Sequence, residues 1–138
     1  MRVLRLRTGD AIAVFDGRGN EYSARIESVS RRGVIVRPTA RRRPAAEPSV
    51  QLTVAIAVTK GDRMDAAVRD AAMLGASVIQ PVVTARTETT IASLARGRRV
   101  ERWRRVAIAS VKQCGRAVVP DVRAALELAD YLSRETAD

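Results

Sequence analysis

The chain has 138 residues, and 25 Lys and Arg against 15 Asp and Glu leave a net charge of +10. With 46% hydrophobic but only 3% aromatic residues, any core is aliphatic, drawn from Val, Ile, Leu and Ala. The length admits one ordinary domain or two small ones. No apolar run approaches the roughly 20 residues of a membrane-spanning helix, and the opening MRVLRLRTGD has no signal-peptide apolar segment. A soluble, cytoplasmic protein is expected.

The absence of His removes the serine-protease triad, the papain-like Cys-His pair and the His-dependent zinc hydrolases, which need an imidazole as base or ligand. Cys114 stands alone, so neither a disulfide framework nor a thiolate-rich metal site is expected. Neither G-x-x-x-x-G-K-[ST] nor G-x-G-x-x-G occurs, which removes the usual phosphate cradles. The basic excess is nearly all arginine, with Lys only at Lys60 and Lys112. Arginine offers planar donors for phosphate and stacks on bases, but an Arg- and Ala-rich composition also arises from drift in genome composition. The size of the charge favours a nucleic-acid partner.

In chain order, Ala11–Phe15 is apolar and runs into Asp16-Gly17-Arg18-Gly19-Asn20, a cluster of turn formers. Glu21–Val29 alternates, with Tyr22, Ala24 and Ile26 on one face and Glu21, Ser23, Arg25 and Glu27 on the other. This is a half-buried strand that forms a hairpin with its predecessor. Arg31-Arg32-Gly33 turns the chain into Val34-Ile35-Val36, and Pro38 is expected to end that strand. Residues 1–39 thus read as a small antiparallel β unit, and 40–49 (ARRRPAAEPS) as a mobile Pro/Ala/Arg linker.

From residue 50 the pattern changes to strands alternating with helices. Val50–Val58 reads as a strand, apolar on both faces over Ala55–Val58, as in a parallel sheet. Lys60-Gly61-Asp62 is a loop with Asp62 as helix N-cap. Met64, Ala67, Val68, Ala71, Ala72 and Leu74 form an apolar stripe closed by Gly75. Val78–Val83 is the next strand, so the order is β-α-β and the class α/β. A basic helix is expected from about Leu94 or Arg98 to Gln113, with Trp103, Val106, Ala107, Ser110 and Val111 facing inward. A last short helix is expected over Ala124–Leu132.

Several collinear segments resemble the bacterial ribosomal RNA small-subunit methyltransferase E family: RVLRL at 2–6, FDGRGNEY at 15–22, KGDRMD at 60–65, LGAS at 74–77, RW at 102–103, QCGR at 113–116 and VP at 119–120. The resemblance implies a small PUA-like antiparallel β-barrel over 1–39, a linker at 40–49, and the first part of an α/β SPOUT-type methyltransferase domain over 50–138. It implies methylation of N3 of one uridine in 16S ribosomal RNA, with S-adenosyl-L-methionine as cofactor. The small ribosomal subunit is the implied partner, and family members are homodimers. The cofactor carries the electrophilic methyl group, and the protein orients a base whose N3 proton must leave; no residue here stands out as the proton acceptor.

Members also carry a Gly-Pro-Glu-Gly-Gly-like loop and a Leu-Gly-x-Arg-Ile-Leu-Arg-x-Glu-Thr-Ala-like segment, which bind the cofactor in a knot. This sequence contains neither; only Glu135-Thr136-Ala137 echoes the second. The expectation is a fragment with an incomplete barrel, no cofactor-binding residues and no activity of its own. The alternative is a non-catalytic basic RNA-binding module. Met73, Ala85 and Lys112 stand where members have Glu, three losses expected near one cleft.

The expected RNA contacts are Arg2, Arg5, Lys60, Gln113 and Arg116. Arg2 and Arg5 sit on the RVLRL strand, where an ordinary charged exterior is the competing reading. Lys60 follows a strand end, where open α/β sheets place ligand crevices. Gln113 offers both donor and acceptor to a base edge, and Arg116 suits a phosphate. Cys114, with no base beside it, reads as an inert thiol.

Overall fold

The computed structural model describes residues 6–135. The expected contacts Arg2 and Arg5 and most of the RVLRL segment lie outside the described residues, as does Thr136–Asp138.

The first unit is an antiparallel three-stranded sheet of β1 (Ala11–Phe15), β2 (Glu21–Val29) and β3 (Val34–Arg42), in that order. The expected hairpin forms with Ala11 opposite Arg25 and Phe15 opposite Glu21. The alternation of β2 is realised: Ala24 and Ile26 are buried while Arg25 and Glu27 face solvent.

Strand β3 runs through Pro38 rather than ending there. Pro38 pairs opposite Ala24, and a register shift leaves Thr39 without an opposite residue before Ala40 meets Ser23. Among the described residues β3 is the outer strand, and a proline with no N–H to donate is tolerated at an edge or bulge. Arg41 and Arg42, expected in a mobile linker, therefore lie in the strand. Arg41 donates to Asn20 Oδ1 at 3.0 Å, and Arg42 pairs with Glu21 at 3.0 Å.

The second unit contains β4 (Thr53–Ala57), α1 (Asp62–Met73), β5 (Val78–Val83), α2 (Ile91–Arg96), α3 (Arg99–Cys114), β6 (Asp121–Val122), β7 (Leu126–Glu127) and α4 (Leu128–Glu135). All four strands are parallel. β4 lies on one side of β5, while β6 pairs with its first residues and β7 with its last. The doubly buried strand is β5; β4 alternates between exposed and half-buried residues. The run expected to be covered on both faces is the outer strand among the described residues.

Helices α1 and α3 pack together over the sheet. Met64, Val68, Ala71 and Ala72 meet Trp103, Ala107 and Val111 in one cluster with Ile79, Val83, Leu94 and Val122. The N-cap of α1 is Gly61 at φ +59°, not Asp62, and no side chain caps the helix. Asp62 is instead the first helical residue and shares the positive end of the helix with Asp65.

Of the two starts expected for the basic helix, Leu94 or Arg98, the second is the one found, with Arg98 as the N-cap of α3. Gly97 separates α2 from α3, and its N–H donates to Ser93 O at 3.1 Å. The last helix starts at Leu128 rather than Ala124, because Leu126 and Glu127 pair with Val82 and Val83. The backbone groups at the end of β5 need those partners more than a helix needs one further turn.

Candidate functional site

The C-terminal ends of β4 and β5 open onto the loops 58–61 and 84–90, with the first turns of α1 and α3 beside them. Lys60, on the first loop, is exposed and pairs with Glu88 on the second. Arg102 of α3 reaches across to α1, its Nε donating to Asp65 Oδ2 at 2.8 Å and its Nη2 to Asp62 Oδ1 at 3.1 Å. Asp65 is the main reason the guanidinium is held in its charged form above the usual arginine range. Two clefts adjoin there. Lys60, Thr87, Thr89, Ser93 and Arg99 line one of about 240 Å³, while Gly61, Asp65, Arg102 and Trp103 line another of about 220 Å³.

Gln113, Cys114 and Arg116 lie at the opposite end of α3. The 16 residues of this helix span ~24 Å at ~1.5 Å per residue. Lys60 is thus not brought together with Gln113 and Arg116. Gln113 is exposed, and Cys114 is half-buried with its thiol toward Val111 O at 3.6 Å.

Arg116 is only 7% exposed. Its Nε donates to both carboxylate oxygens of Glu47 at 3.2 and 3.1 Å, and Nη2 reaches Glu47 Oε2 at 2.6 Å. Nη1 donates to Ala72 O, and both terminal nitrogens contact Ala76 O at 3.4 and 3.3 Å. The arginine placed by sequence as a phosphate contact is an internal strap between the interdomain segment and the end of α1. Glu47 had no sequence signal: it stands among Pro and Ala residues, and its partner is far along the chain.

The two units meet where two of the family-like segments touch. Val119 N donates to Gly17 O at 2.9 Å, and Gly19 N donates to Ala117 O at 3.0 Å. Gly17 has φ +78°, and a Cβ there would stand 3.2 Å from Val119 Cγ2. The turn is held by Asp16, whose carboxylate accepts from Arg18 N at 2.7 Å, Asn20 N at 3.1 Å and Asn20 Nδ2 at 2.7 Å.

These bonds, the Asn20 side chain first, hold the Asp16 carboxyl below the usual carboxylate range. A depressed folded-state pKa contributes stability above the unfolded value, and that contribution is lost as pH falls through the folded one. Asp16→Ala should therefore lower the urea midpoint at pH 7 and lose most of that difference in acid below the depressed pKa. An equal difference at both pH values contradicts the turn's dependence on the ionised carboxylate.

The three departures from the family pattern do not share one cleft. Lys112 lines a cleft of about 150 Å³ between the units with Phe15, Glu21 and Arg116. Ala85 lines an apolar groove of about 350 Å³ with Val83, Leu128 and Leu132. Met73 ends α1. Among the described residues no cluster of ligands suits a metal ion, and no helix is long and apolar enough to cross a membrane.

Two family models match the sequence, an RNA methyltransferase PUA domain over residues 1–39 and an RNA methyltransferase domain over residues 46–138. The ribosomal RNA small subunit methyltransferase E of Synechocystis sp. is 29% identical over 133 residues, covering 96% of this chain and 42% of that protein. That of Rickettsia conorii is 28% identical over 132 residues, covering 96% and 51%. The chain spans about half the length of these curated relatives. The same enzyme from Neisseria gonorrhoeae, solved with S-adenosyl methionine, superimposes with a TM-score of 0.88 at 27% identity, covering 96% of this chain and 55% of that one. A Legionella pneumophila methyltransferase structure with the same cofactor gives 0.87 at 29% identity, covering 95% and 54%.

Proposed function

We propose that the chain, which belongs to the RNA methyltransferase domain family, serves S-adenosylmethionine-dependent methylation of N3 of a uridine in 16S ribosomal RNA. The observation that carries this reading is the collinear pair of matches, PUA domain then methyltransferase domain, on a fold that superimposes on a cofactor-bound relative at a TM-score of 0.88. In this reading the β unit that ends with β3 at Arg42 is an RNA-binding PUA-like unit, residues 43–49 connect it to the second unit, and 50–138 belong to a SPOUT methyltransferase domain. The small ribosomal subunit in the cytoplasm is the place of action, and a homodimer the working form.

Adenosine needs an apolar slot with polar groups at its ends. The cleft of about 240 Å³ beside Lys60 is lined mainly by charged and hydroxyl side chains; the one of about 220 Å³ adds Met64 and Trp103, but these are buried and offer little apolar surface, and the groove at Leu128 is open to solvent. None of them fits adenosine, so no described residue is assigned to the cofactor.

What this chain's own residues do is engage and orient RNA. Lys60 and Gln113 present exposed polar groups to it, and Arg2 and Arg5 remain proposed contacts of the first segment. Arg116 acts as a positioning residue, through Glu47. A non-catalytic RNA-binding module is the second reading, favoured by the poor fit of adenosine to these clefts.

Removing the coding sequence from its own genome should abolish one 3-methyluridine of 16S ribosomal RNA, read by nuclease digestion and nucleoside mass spectrometry. Unchanged 3-methyluridine overturns the methylation reading. The purified chain should bind 16S ribosomal RNA on filters with steep salt dependence, the log–log slope growing by roughly 0.7 to 0.9 per phosphate contact. Binding without any change in 3-methyluridine selects the second reading.

A further inference from the structure

We propose that the cleft between the β4–α1 loop and loop 84–90 seats a phosphodiester group of a single RNA strand, with Arg99 and Lys60 as its cations. This rests on the RNA reading above and adds residues that reading does not contain.

The first argument is charge. Asp65 of the adjoining cleft and the neighbouring Asp62 are both taken up by Arg102. That leaves Lys60, Arg99 and Glu88 as the charged groups lining the cleft itself. Lys60 and Glu88 are 77% and 67% exposed in their side chains, and an exposed pair of this kind contributes little that a phosphate would have to displace. No carboxylate pairs with Arg99 among the described residues. Arg99 is also the first residue of α3, whose N-cap Arg98 supplies no side-chain cap, so the positive end of a 16-residue helix opens here.

The second argument is hydrogen-bonding chemistry. Thr90 Oγ1 accepts from Ser93 N at 3.2 Å, which leaves its hydroxyl hydrogen free to donate. Thr89 lines the cleft, and its Oγ1 is covered and without a hydrogen-bond partner among the described residues, so it would reach a seated acceptor by turning to another χ1 rotamer. A buried hydroxyl without a partner is uncommon and asks for an explanation. Hydroxyl donors and two cations, with one removable carboxylate, suit a ligand that only accepts. A phosphodiester is such a ligand. The cleft is open along one side, which suits a strand passing over it better than an enclosed nucleotide.

The test is fluorescence anisotropy of the full chain with a labelled single-stranded oligouridylate over a salt series. Arg99→Ala should weaken binding roughly fivefold and lower the log–log slope by ~0.7, the value for one single-strand phosphate contact. Thr89→Val, close in shape and without the hydroxyl, should also weaken binding while the urea midpoint does not fall. Arg134→Ala, on α4 away from the cleft, removes the same charge and should change binding far less.

If the wild-type chain binds but Arg99→Ala and Thr89→Val bind equally well, the seat is wrong and the RNA reading stands. If Arg134→Ala costs as much as Arg99→Ala, attraction is diffuse and the seat is likewise wrong. If the wild-type chain binds no RNA, the reading beneath the proposal fails and the seat fails with it.

Discussion

Glu47→Ala is expected to destabilise the folded chain by roughly 3 kcal/mol, because it strands a buried arginine charge. Arg116 is 7% exposed, so little water reaches its guanidinium to replace the lost carboxylate. With Glu47 gone it retains only the carbonyls of Ala72 and Ala76. Arg116→Ala should cost a similar or smaller amount: the Glu47 side chain is 30% exposed and water can take over its solvation. The two carbonyls and the lost packing of the arginine stem account for most of that cost.

Combining Glu47→Ala with Arg116→Met replaces the pair by apolar volume and should recover much of the loss, as buried pairs commonly allow. Urea unfolding of the two single variants and the combination measures all three. Single-variant losses below about 1 kcal/mol would place the pair among ordinary surface bridges and remove the strap from the account. A stable double variant with weakened RNA binding, by contrast, is the signature of a positioning role.

That strap marks the boundary of what the sequence discloses. The α/β order, the hairpin at 11–29 and the inward stripe of α3 follow from periodicity and turn residues, which are local signals. Where local signals misled, a neighbour decided. Pro38 reads as a strand end until β3 is placed on the outside of its sheet beside a bulge. Ala55–Val58 reads as covered on both faces, yet β4 alternates between exposed and half-buried residues and β5 is the strand that is buried. Leu126 and Glu127 read as helix until β5 claims them.

The site was legible in its residue types and not in its grouping. Lys60 and the QCGR segment stand out in the sequence, but nothing local reveals that α3 holds them at opposite ends. Arg99 was one of several arginines on a basic helix, and only the fold shows it at a cleft. Glu47 was invisible because an ion pair across 69 positions leaves no periodic trace.

Gly75→Ala should cost roughly 2–6 kcal/mol, from two separable terms of about 1–3 kcal/mol each: backbone strain and forced contact. Gly75 has φ +102°, a conformation L side chains rarely adopt, and an added Cβ would stand 2.6 Å from Pro48 Cγ. Pro48 belongs to the same segment as Glu47, so the glycine is where the interdomain segment lies directly on the end of α1. Gly115 provides the control, since its φ is +79° with nothing within 4 Å of an added Cβ. Gly115→Ala should show the strain alone. The difference between the two variants therefore reports the contact with Pro48, and Pro48→Gly should relieve Gly75→Ala by about that difference and leave Gly115→Ala unchanged. Equal costs for the two glycine variants, with no relief from Pro48→Gly, would mean that the segment yields freely and that Glu47 alone fastens it. A larger cost at Gly75 that Pro48→Gly reduces would place the fastening in both residues, with the end of α1 as their shared anchor.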